Sequence, residues 1–428
     1  MGLDTELPKL IEEHQPHQGV HCLLYRKEDN PTLAIYGSVR AGTAFEPADR
    51  LGIAELTSRL LIRGTGKLGS PKIANMLESV GATLSFRNAQ DNIILQARTT
   101  STWTQRLLGI ISACLTEPSF NRRDLERERE ELLTDIRLRN DDTTRRGMKE
   151  LHNLVYPTGH PYRRDRFGTP ASVKKIERDE VVEYFEETVS KAPVVVAFAG
   201  RLEKSTVLGW MEKTFGEREE DPDPANKDPQ PPHTKPESKE VVMAHKTQAD
   251  VLMGAPATWR THPDYEALNL LNVILGELGF MGRLGERVRD REGLAYSCTS
   301  FLNSASIGGN WTALAGVNPR NVAKAMALMR DEIGKVCQQP VQPDELESAK
   351  QNQVGSALME LESTEGIARV GHNLAYFRLG LDYFAKRRTL YSKIKEPHLR
   401  EMAQKYIEPT KLSTVVIGPK QKAASSEL

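Results

Sequence analysis

Residues 176–200 read IERDEVVEYFEETVSKAPVVVAFAG, and residues 394–418 read IKEPHLREMAQKYIEPTKLSTVVIG. Each stretch has apolar residues at helical spacing and then a β-branched run that ends in glycine, so each predicts an amphipathic helix followed by a strand. Upstream of each, PSFNRRDLERERE from Pro118 and PVQPDELESAK from Pro340 predict a turn that opens a charged helix. The chain therefore predicts two copies of one α+β unit.

A linker is predicted between the two copies. Residues 216–240 read GEREEDPDPANKDPQPPHTKPESKE, with six prolines and hardly any apolar side chain. Such a segment cannot bury a core and favours a semi-rigid exposed connection. We therefore predict an N-terminal domain at 1–216, a linker at 217–240 and a C-terminal domain at 241–428. Residues 33–39 and 92–98 alternate as strands do, and each half is predicted to be a mostly antiparallel sheet with helices on one side.

Composition excludes several classes of function. The 58 basic and 58 acidic residues balance, which disfavours binding to nucleic acid or to an anionic membrane surface. No stretch approaches ~18 uninterrupted apolar residues, so no membrane span is predicted. The four cysteines form no C-x-x-C pair and are predicted to be buried free thiols. The acidic N-terminal stretch lacks a signal-peptide pattern, which predicts a cytoplasmic protein, or a periplasmic one if a leader has been removed.

The segment at residues 52–65, GIAELTSRLLIRGT, carries the first chemical signal. It resembles the pattern G-L-A-H-x-x-E-H-x-x-x-x-G-T of the pitrilysin, insulinase and mitochondrial processing peptidase family of inverted-zincin metallopeptidases. In that family the two histidines share one helix face and bind zinc, and the glutamate is the general base. Here Glu55, Ser58 and Arg59 stand at these three positions.

The resemblance also points to a third ligand position. In LEREREELLTDI, from Leu125, Asp135 stands where the family has a zinc-binding glutamate. Arginine has no lone pair to give and keeps its charge, so Arg59 repels a zinc ion. We predict no zinc in this chain and a salt bridge from Arg59 to Glu55 and Asp135. Two alternatives are that these residues face solvent without mutual contact, or that Glu55 and Asp135 form an unorthodox metal site in a homodimer.

Two further segments resemble family landmarks in this half. Residues 80–92, VGATLSFRNAQDN, resemble the edge strand G-G-x-x-N-A-x-T, whose backbone pairs with a substrate peptide. Ser85 and Phe86 replace its Asn and Ala, and the resemblance makes these two residues substrate-binding candidates. Residues 159–169, GHPYRRDRFGT, keep the family's H-P-Y and G-T, and His160 is predicted to be a packed structural histidine.

The second half carries the more complete motif. From Leu275 it reads LGELGFMGRLGERVRDREGLAYSCTSF, which resembles the family's S-R-L-x-x-x-V-R-x-x-x-G-L-A-Y-S. The resemblance implies catalytic roles for Arg289 and Tyr296, which bind the substrate backbone and stabilise the oxyanion. Gly279 and Gly282 resemble a sparse glycine-rich substrate loop, although a simple turn also explains them. The alternative for the pair is an ion-paired Arg289 and a Tyr296 packed in the core.

The resemblance spans about residues 33–418 and implies a clamshell of two homologous halves. One half has lost the zinc residues while the other keeps the substrate-orienting pair. This asymmetry predicts the non-catalytic subunit of a heterodimeric zinc endopeptidase. The implied partner is a homologous subunit that carries the zinc, this chain holds no cofactor, and the substrate is a peptide or an unfolded polypeptide. The alternative is a catalytically inert scaffold or peptide-binding protein.

Overall fold

The computed structural model describes residues 9–220 and 235–420. Its strands are β1 (Ile11–His17), β2 (Val20–Arg26), β3 (Thr32–Val39), β4 (Thr83–Asn88), β5 (Ile93–Thr100), β6 (Val194–Gly200), β7 (Ser238–Val242), β8 (Ala249–Ala257), β9 (Ala295–Ser304), β10 (Gly309–Val317) and β11 (Ser413–Gly418). Its α-helices are α1 (Ile53–Leu60), α2 (Ser70–Glu78), α3 (Thr104–Thr116), α4 (Arg122–Asp141), α5 (Thr143–Val155), α6 (Pro170–Val173), α7 (Arg178–Tyr184), α8 (Lys204–Thr214), α9 (Tyr265–Asn272), α10 (Leu278–Gly285), α11 (Val322–Gln338), α12 (Pro343–Glu360), α13 (Thr364–Tyr376), α14 (Tyr383–Lys393) and α15 (Glu396–Met402).

The repeated stretches fold alike, as the sequence predicts. Helix α7 continues through a π-helical turn, Phe185–Val189, and the chain then enters β6. Helix α15 continues through the π-helical turn Ala403–Ile407 and leads to β11 in the same way. The charged helices α4 and α12 begin where the upstream turns predict. The duplication is therefore a duplication of structure as well as of sequence pattern.

The two sheets share one strand order. The six-stranded sheet runs β1-β2-β6-β3-β5-β4, and the five-stranded sheet runs β7-β11-β8-β10-β9. Each contains a single parallel pair, β2 with β6 and β7 with β11, and the remaining pairs are antiparallel. Strands β4 and β9 hold equivalent places at one edge of their sheets. The prediction of two mostly antiparallel sheets packed against helices is confirmed.

The described residues form two compact units that are not continuous in sequence. One unit consists of the described residues of Met1–Ile136, Arg164–Asp223 and Ala357–Lys386, and the other of those of Arg137–Arg163, Pro224–Ser356 and Arg387–Leu428. The predicted boundaries at 216 and 241 do not coincide with these units. Within the predicted linker, residues 221–234 lie outside the described residues, and β7 begins at Ser238, before the predicted end at 240.

In the first unit the six-stranded sheet is covered on both faces. One face packs on a core to which α1, α3, α4, α7 and α8 contribute. The other face packs on α13, whose Ile367, Val370 and Leu374 join Leu23 and Ala197 of the sheet. The central strand β6 is buried at every residue for this reason. The prediction of helices on one side only is wrong, because a sheet with two apolar faces needs a second covering layer.

The second unit repeats this arrangement. The five-stranded sheet shares one core with α9, α11 and α15, in which Trp311 is fully buried. Helix α5 packs on its other side at Gly147, where an added Cβ would lie 2.6 Å from a methyl carbon of Leu252. The absent side chain lets the helix approach the sheet closely. In each unit the helix on the second face comes from the other half of the sequence.

Two predictions about apolar residues bear on the fold. All four cysteines are free and buried, as predicted, and burial raises the pKa of the Cys22 thiol to about 12. Among the described residues, one helical run, Tyr265–Arg291, is long and apolar enough to cross a membrane, but 61% of its most apolar window is buried within the fold. Core helices have the same composition, so this run is explained by packing in the second unit.

Candidate functional site

Helix α1, which carries the former zinc positions, begins on a buried carboxylate. Glu46 accepts hydrogen bonds from the backbone N–H groups of Gly52, at 3.1 Å, and Ala54, at 2.9 Å. These are orphan donors at the helix N-terminus, and a carboxyl group there is a favourable cap. Burial nevertheless raises the pKa of Glu46 to about 8, against the opposing effect of the two backbone hydrogen bonds. Glu46 therefore fixes the start of α1, and its raised pKa makes the free energy of unfolding depend on pH.

We expect Glu46→Gln to flatten the pH dependence of stability between about pH 5 and pH 8. Because the folded pKa lies above the ordinary value, the contribution of Glu46 is complete in acid and is lost as pH rises toward 8. Its loss changes the free energy of unfolding by at most about 1.4 kcal/mol per pH unit. Urea titrations at both pH values measure the free energy of unfolding of the wild type and of Glu46→Gln. Glu78→Gln, at an exposed position, is the control. Equal pH dependence in the wild type and in Glu46→Gln would contradict this assignment.

The four positions of the degenerate zinc site converge in the first unit, and an ion-paired cluster occupies the three ligand positions. Arg59 Nε donates to Glu55 Oε1 at 2.8 Å, and its Nη2 donates to Asp135 Oδ2 at 2.7 Å. Ser58 is buried and turns its hydroxyl back to the Glu55 carbonyl at 2.8 Å. Burial lowers the pKa of Arg59, but Glu55 and Asp135 raise it by more, so the guanidinium stays charged. The predicted salt bridge is present, and the alternative of separate solvent-facing residues is wrong.

This donor set does not fit zinc. A guanidinium lies between the two carboxylates that remain, and it offers only N–H donors where a metal needs lone pairs. Within residues 9–220 and 235–420, no group of three or more His, Cys, Asp or Glu side chains is placed to hold a metal ion. The unorthodox metal site from Glu55 and Asp135 therefore has no support in this geometry.

Strand β4 is the outermost strand of its sheet and pairs with β5 alone. Ser85 is exposed and lines a groove of about 290 Å³ beside the N-terminal end of α13. Phe86 is 8% exposed and belongs to the core on the opposite face of the strand. Side chains alternate along a strand, so Phe86 can offer a substrate only its backbone. Phe86 therefore remains a substrate-binding candidate through its backbone alone, whereas the side chain of Ser85 is also accessible.

Tyr296 lies on the surface of the second unit, and Arg289 is partly buried. Tyr296, near the start of β9, is 87% exposed and makes no hydrogen bond to any described residue. The Arg289 guanidinium lies 4.1 Å from the ring centroid of Phe280, and its Nη1 is 3.7 Å from a carboxylate oxygen of the adjacent Asp290. The alternative of an ion-paired arginine beside a core tyrosine is wrong for Tyr296, which is not packed in the core, whereas Arg289 does have an ion pair, with Asp290. Tyr296 is accessible to a ligand, and Arg289 is partly buried with its Nη1 atom covered.

The predicted glycine loop divides into an exposed part and a buried part. Gly279, Met281 and Gly282 have φ values of 67°, 77° and 63°, and they interrupt α10 in the left-handed region. At Gly282 an added Cβ would lie 2.4 Å from the Leu275 carbonyl carbon, so this glycine is needed for packing and does not face a ligand. At Gly279 no atom lies within 4 Å of such a Cβ. Of the two glycines, only Gly279 remains a candidate for contact with a substrate.

The rest of the motif anchors the segment that carries Arg289 and Tyr296. Arg283 binds both carboxylate oxygens of Glu345 on α12, at 2.8 and 2.5 Å. At the base of the segment, Asn272 Oδ1 accepts hydrogen bonds from Ser300 Oγ at 2.8 Å and from Trp311 Nε1 at 3.0 Å. These buried contacts fix α9 to β9 and β10. Sequence reasoning missed Asn272, whose partners Ser300 and Trp311 are distant in sequence, and Phe280, whose contact with Arg289 depends on the local backbone of residues 279–282.

His160 is packed, as predicted. Its ring stacks on Tyr156 with centroids 4.8 Å apart, and its Nδ1 accepts the backbone N–H of Tyr162 at 3.0 Å. Burial lowers the pKa of His160, which favours the neutral ring. The H-P-Y landmark is therefore structural in the second unit.

A duplicated α+β fold, with an ion pair at the zinc positions and an Arg–Tyr pair whose tyrosine is exposed, defines a zincin-like protein whose zinc positions hold no zinc-ligand set. The family model "Insulinase (Peptidase family M16)" matches residues 23–163, and "Peptidase M16 inactive domain" matches residues 175–353. Together these ranges span most of the chain. The chain belongs to peptidase family M16.

Relatives and solved structures agree with this assignment. An uncharacterized zinc protease of Streptomyces coelicolor is 26% identical over 350 residues, 79% of this chain and 74% of that protein. A protein of Helicobacter pylori named a non-peptidase homolog is 22% identical and covers 92% of this chain and 90% of its own length. The crystal structure of a peptidase M16 inactive domain from Pseudomonas fluorescens superposes with a TM-score of 0.87 at 21% identity, over 96% of this chain and all of that one. The structural match supports the fold.

Proposed function

We propose that this chain is the non-catalytic subunit of a two-subunit zinc endopeptidase and supplies Arg289 and Tyr296 to an active site on its partner. One contrast carries the proposal. The zinc positions of this chain are filled by Arg59 and its two carboxylates, whereas Tyr296 is exposed and Arg289 is partly exposed on a segment anchored through Arg283. The partner is a homologous M16 chain that retains the complete zinc motif.

The side chains of Arg289 and Tyr296 suit the chemistry of peptide hydrolysis. A guanidinium presents a fixed fork of N–H donors to the carbonyl oxygens of a substrate backbone. A phenol hydroxyl is a directional donor, and in a water-poor site it stabilises the oxyanion formed when a peptide carbonyl is attacked. Tyr296 makes no hydrogen bond to the described residues that a substrate would first have to break. Neither residue generates a nucleophile, so the attacking water belongs to the partner.

Strand β4 supplies a second substrate contact. Because it is an edge strand, its outer backbone groups can pair with an extended peptide by strand addition. The groove beside Ser85 is lined by Arg98, Glu365 and Arg369, which gives polar contacts of both signs. Main-chain pairing is tolerant of sequence, and it suits peptides or unfolded segments better than one folded partner.

The proposal is tested by measuring peptidase activity in three samples. These are this chain, a zinc-motif M16 subunit from the same genome, and their mixture. We expect the mixture alone to cleave an unstructured reporter peptide, and a chelator to abolish this activity. Arg291→Ala is the control, since Arg291 is exposed in the same segment and, among the described residues, forms its ion pair with Glu286. Activity in this chain alone, or a mixture no better than the zinc subunit, would contradict the proposal.

A peptide-binding protein without turnover is the second candidate. The groove beside the β4 edge favours it, because strand addition needs no metal and no Arg–Tyr pair. This candidate predicts that the chain alone binds an extended peptide and that no mixture cleaves it. The reconstitution experiment therefore separates the two functions.

We expect Phe280→Ala to lower kcat/KM of the reconstituted complex about two- to fivefold, mainly through KM. Phe280 is 64% exposed and lies under the Arg289 guanidinium, and an exposed cation–π contact contributes about 0.5–1 kcal/mol. Phe280→Trp keeps a ring and should restore the wild-type value. The control is Phe301→Ala, which removes another exposed ring on β9. A loss in both Ala variants would indicate a general effect on this unit.

A further inference from the structure

One face of the edge strand β4 carries a row of exposed side chains. Thr83, Ser85 and Arg87 are exposed, whereas Leu84 and Phe86 between them pack on the core of the opposite face. Thr83 and Ser85 line the groove of about 290 Å³, and Arg87 is the next residue along the same face. An extended peptide that pairs with β4 would present every second side chain to this row. Side chains of the peptide are therefore selected by this row and its neighbours.

Tyr36 contributes a polar wall to the groove. It lies opposite Gln96 on β5, which in turn lies opposite Ser85, so these three side chains share one face of the sheet. Its ring packs edge-on against His372 of α13, with centroids 4.9 Å apart. Its hydroxyl makes no hydrogen bond to any residue of the described ranges. Burial raises the pKa of Tyr36, so the hydroxyl keeps its proton and can donate a hydrogen bond to an oxygen of a ligand.

The two arginines that line the groove are already paired. Arg98 Nη1 donates to Glu365 Oε1 at 3.0 Å, and Arg369 Nε donates to Glu360 Oε1 at 2.8 Å. Arg87 is the only charged residue of β4, and it forms no hydrogen bond or ion pair with the residues that the structure describes. The row of exposed side chains on β4 therefore ends in one cation whose charge no contact balances.

The position of Arg87 fits an acidic side chain of a paired peptide. A peptide residue opposite Arg87 points to the same face of the sheet, with its Cβ about 5 Å away. A guanidinium presents a planar fork that matches both oxygens of a carboxylate, and the Tyr36 hydroxyl offers one further donor in the groove. Charged residues on edge strands can also serve only to discourage unwanted pairing. That role explains Arg87 alone and leaves the groove and the free hydroxyl without a use.

We propose that β4 selects extended peptides with an acidic side chain, which Arg87 binds at the strand edge, with the Tyr36 hydroxyl as a second donor. The occupant is a stretch of polypeptide with Asp or Glu at the residue paired opposite Arg87. This inference rests on the strand addition proposed above and adds the class of peptide that β4 accepts. It needs neither zinc nor the Arg289–Tyr296 pair, so the chain alone is sufficient for its test.

Fluorescence anisotropy of the full chain with labelled peptides tests the selection. The probes are three peptides of the sequence Thr-Val-Thr-Xaa-Thr-Val-Thr, with Glu, Gln or Lys as Xaa. Each carries a neutral dye at the N-terminus and an amide at the C-terminus, so that only Xaa is charged. We expect the Glu peptide to bind about fivefold more tightly than the Gln peptide and at least about tenfold more tightly than the Lys peptide. Salt at about 1 M, where the Debye length is ~3 Å, should remove most of this difference.

Two results with the wild type would overturn the selection. These are equal affinity for the three peptides, and no binding of any of them at millimolar concentration. Either result leaves the peptidase proposal to the reconstitution experiment, in which cleavage by the mixture is measured independently of peptide charge. A mixture that cleaves peptides without a preference for Glu would therefore remove the selection and keep the proposed function.

Variants locate the preference. Arg87→Gln should abolish it and leave the affinity for the Gln peptide unchanged, whereas Arg87→Lys should keep part of it. Tyr36→Phe should weaken the Glu peptide alone, about twofold. Arg123→Gln is the control, since it removes another exposed arginine, on α4 at the opposite face of the sheet. A Glu preference that persists in Arg87→Gln would place the acid elsewhere, and stronger binding of all three peptides would mean that Arg87 only protects the strand edge.

Discussion

Replacement of Tyr296 with phenylalanine is expected to lower kcat of the reconstituted peptidase about 100- to 1,000-fold. The change deletes one hydroxyl donor, and the loss of one oxyanion donor costs about 2.7–4 kcal/mol in the barrier. Because Tyr296 is 87% exposed and makes no hydrogen bond to the described residues, the change should leave the stability of the subunit intact. Arg289→Ala should reduce kcat/KM as well, with part of the loss in KM because Arg289 binds ground-state carbonyls too.

Steady-state kinetics of the mixture measure both effects, and gel filtration of each variant with the partner verifies assembly. Arg291→Ala removes a neighbouring arginine that pairs with Glu286 and should retain full activity. A tyrosine that only shaped the interface would change assembly and leave turnover per complex unchanged. Wild-type kcat in both Tyr296→Phe and Arg289→Ala would remove the role in trans, even if the mixture cleaves peptides.

The duplicated fold was predictable because its signal is local. An amphipathic helix followed by a short β-branched apolar run can be recognised within 25 residues, and this pattern occurs twice, at 176–200 and 394–418. The outer layers were not predictable in the same way. Helices α5 and α13 cover sheets built largely from the other half of the chain, and no local pattern states which sheet an apolar helix face will cover.

The candidate site was also predictable only in part. The loss of zinc ligands follows from residue type alone, since Arg59 cannot serve as a ligand, and the convergence of Glu55 and Asp135 on Arg59 followed from the family spacing. Phe86 was assigned to substrate because its motif position was considered without its strand face. Phe280 was missed, because its contact with Arg289 depends on left-handed residues at 279, 281 and 282 that no periodicity predicts.

Arg59→Met is expected to destabilise the first unit by about 3 kcal/mol. Glu55 is 6% exposed, one of its oxygens accepts from Arg59, and the other has no hydrogen-bond partner among the described residues. Without Arg59 the carboxylate stays buried and loses its cation, and breaking a buried ion pair from one side typically costs about 3–5 kcal/mol. The lower figure applies because the Asp135 side chain is 43% exposed and can be rehydrated. Urea unfolding of the single variant measures this cost.

The double variant Glu55→Leu/Arg59→Met distinguishes a buried charge from a general packing defect. Removing both charges should recover most of the loss, since buried ion pairs replaced by apolar residues are often neutral in stability. Arg98→Met is the matched control, because its partner Glu365 is exposed and the change should cost about 1 kcal/mol or less. A double variant as unstable as the single one would mean that Arg59 acts through its packing. Recovery would mean that Arg59 stabilises the unit by neutralising the buried Glu55 carboxylate.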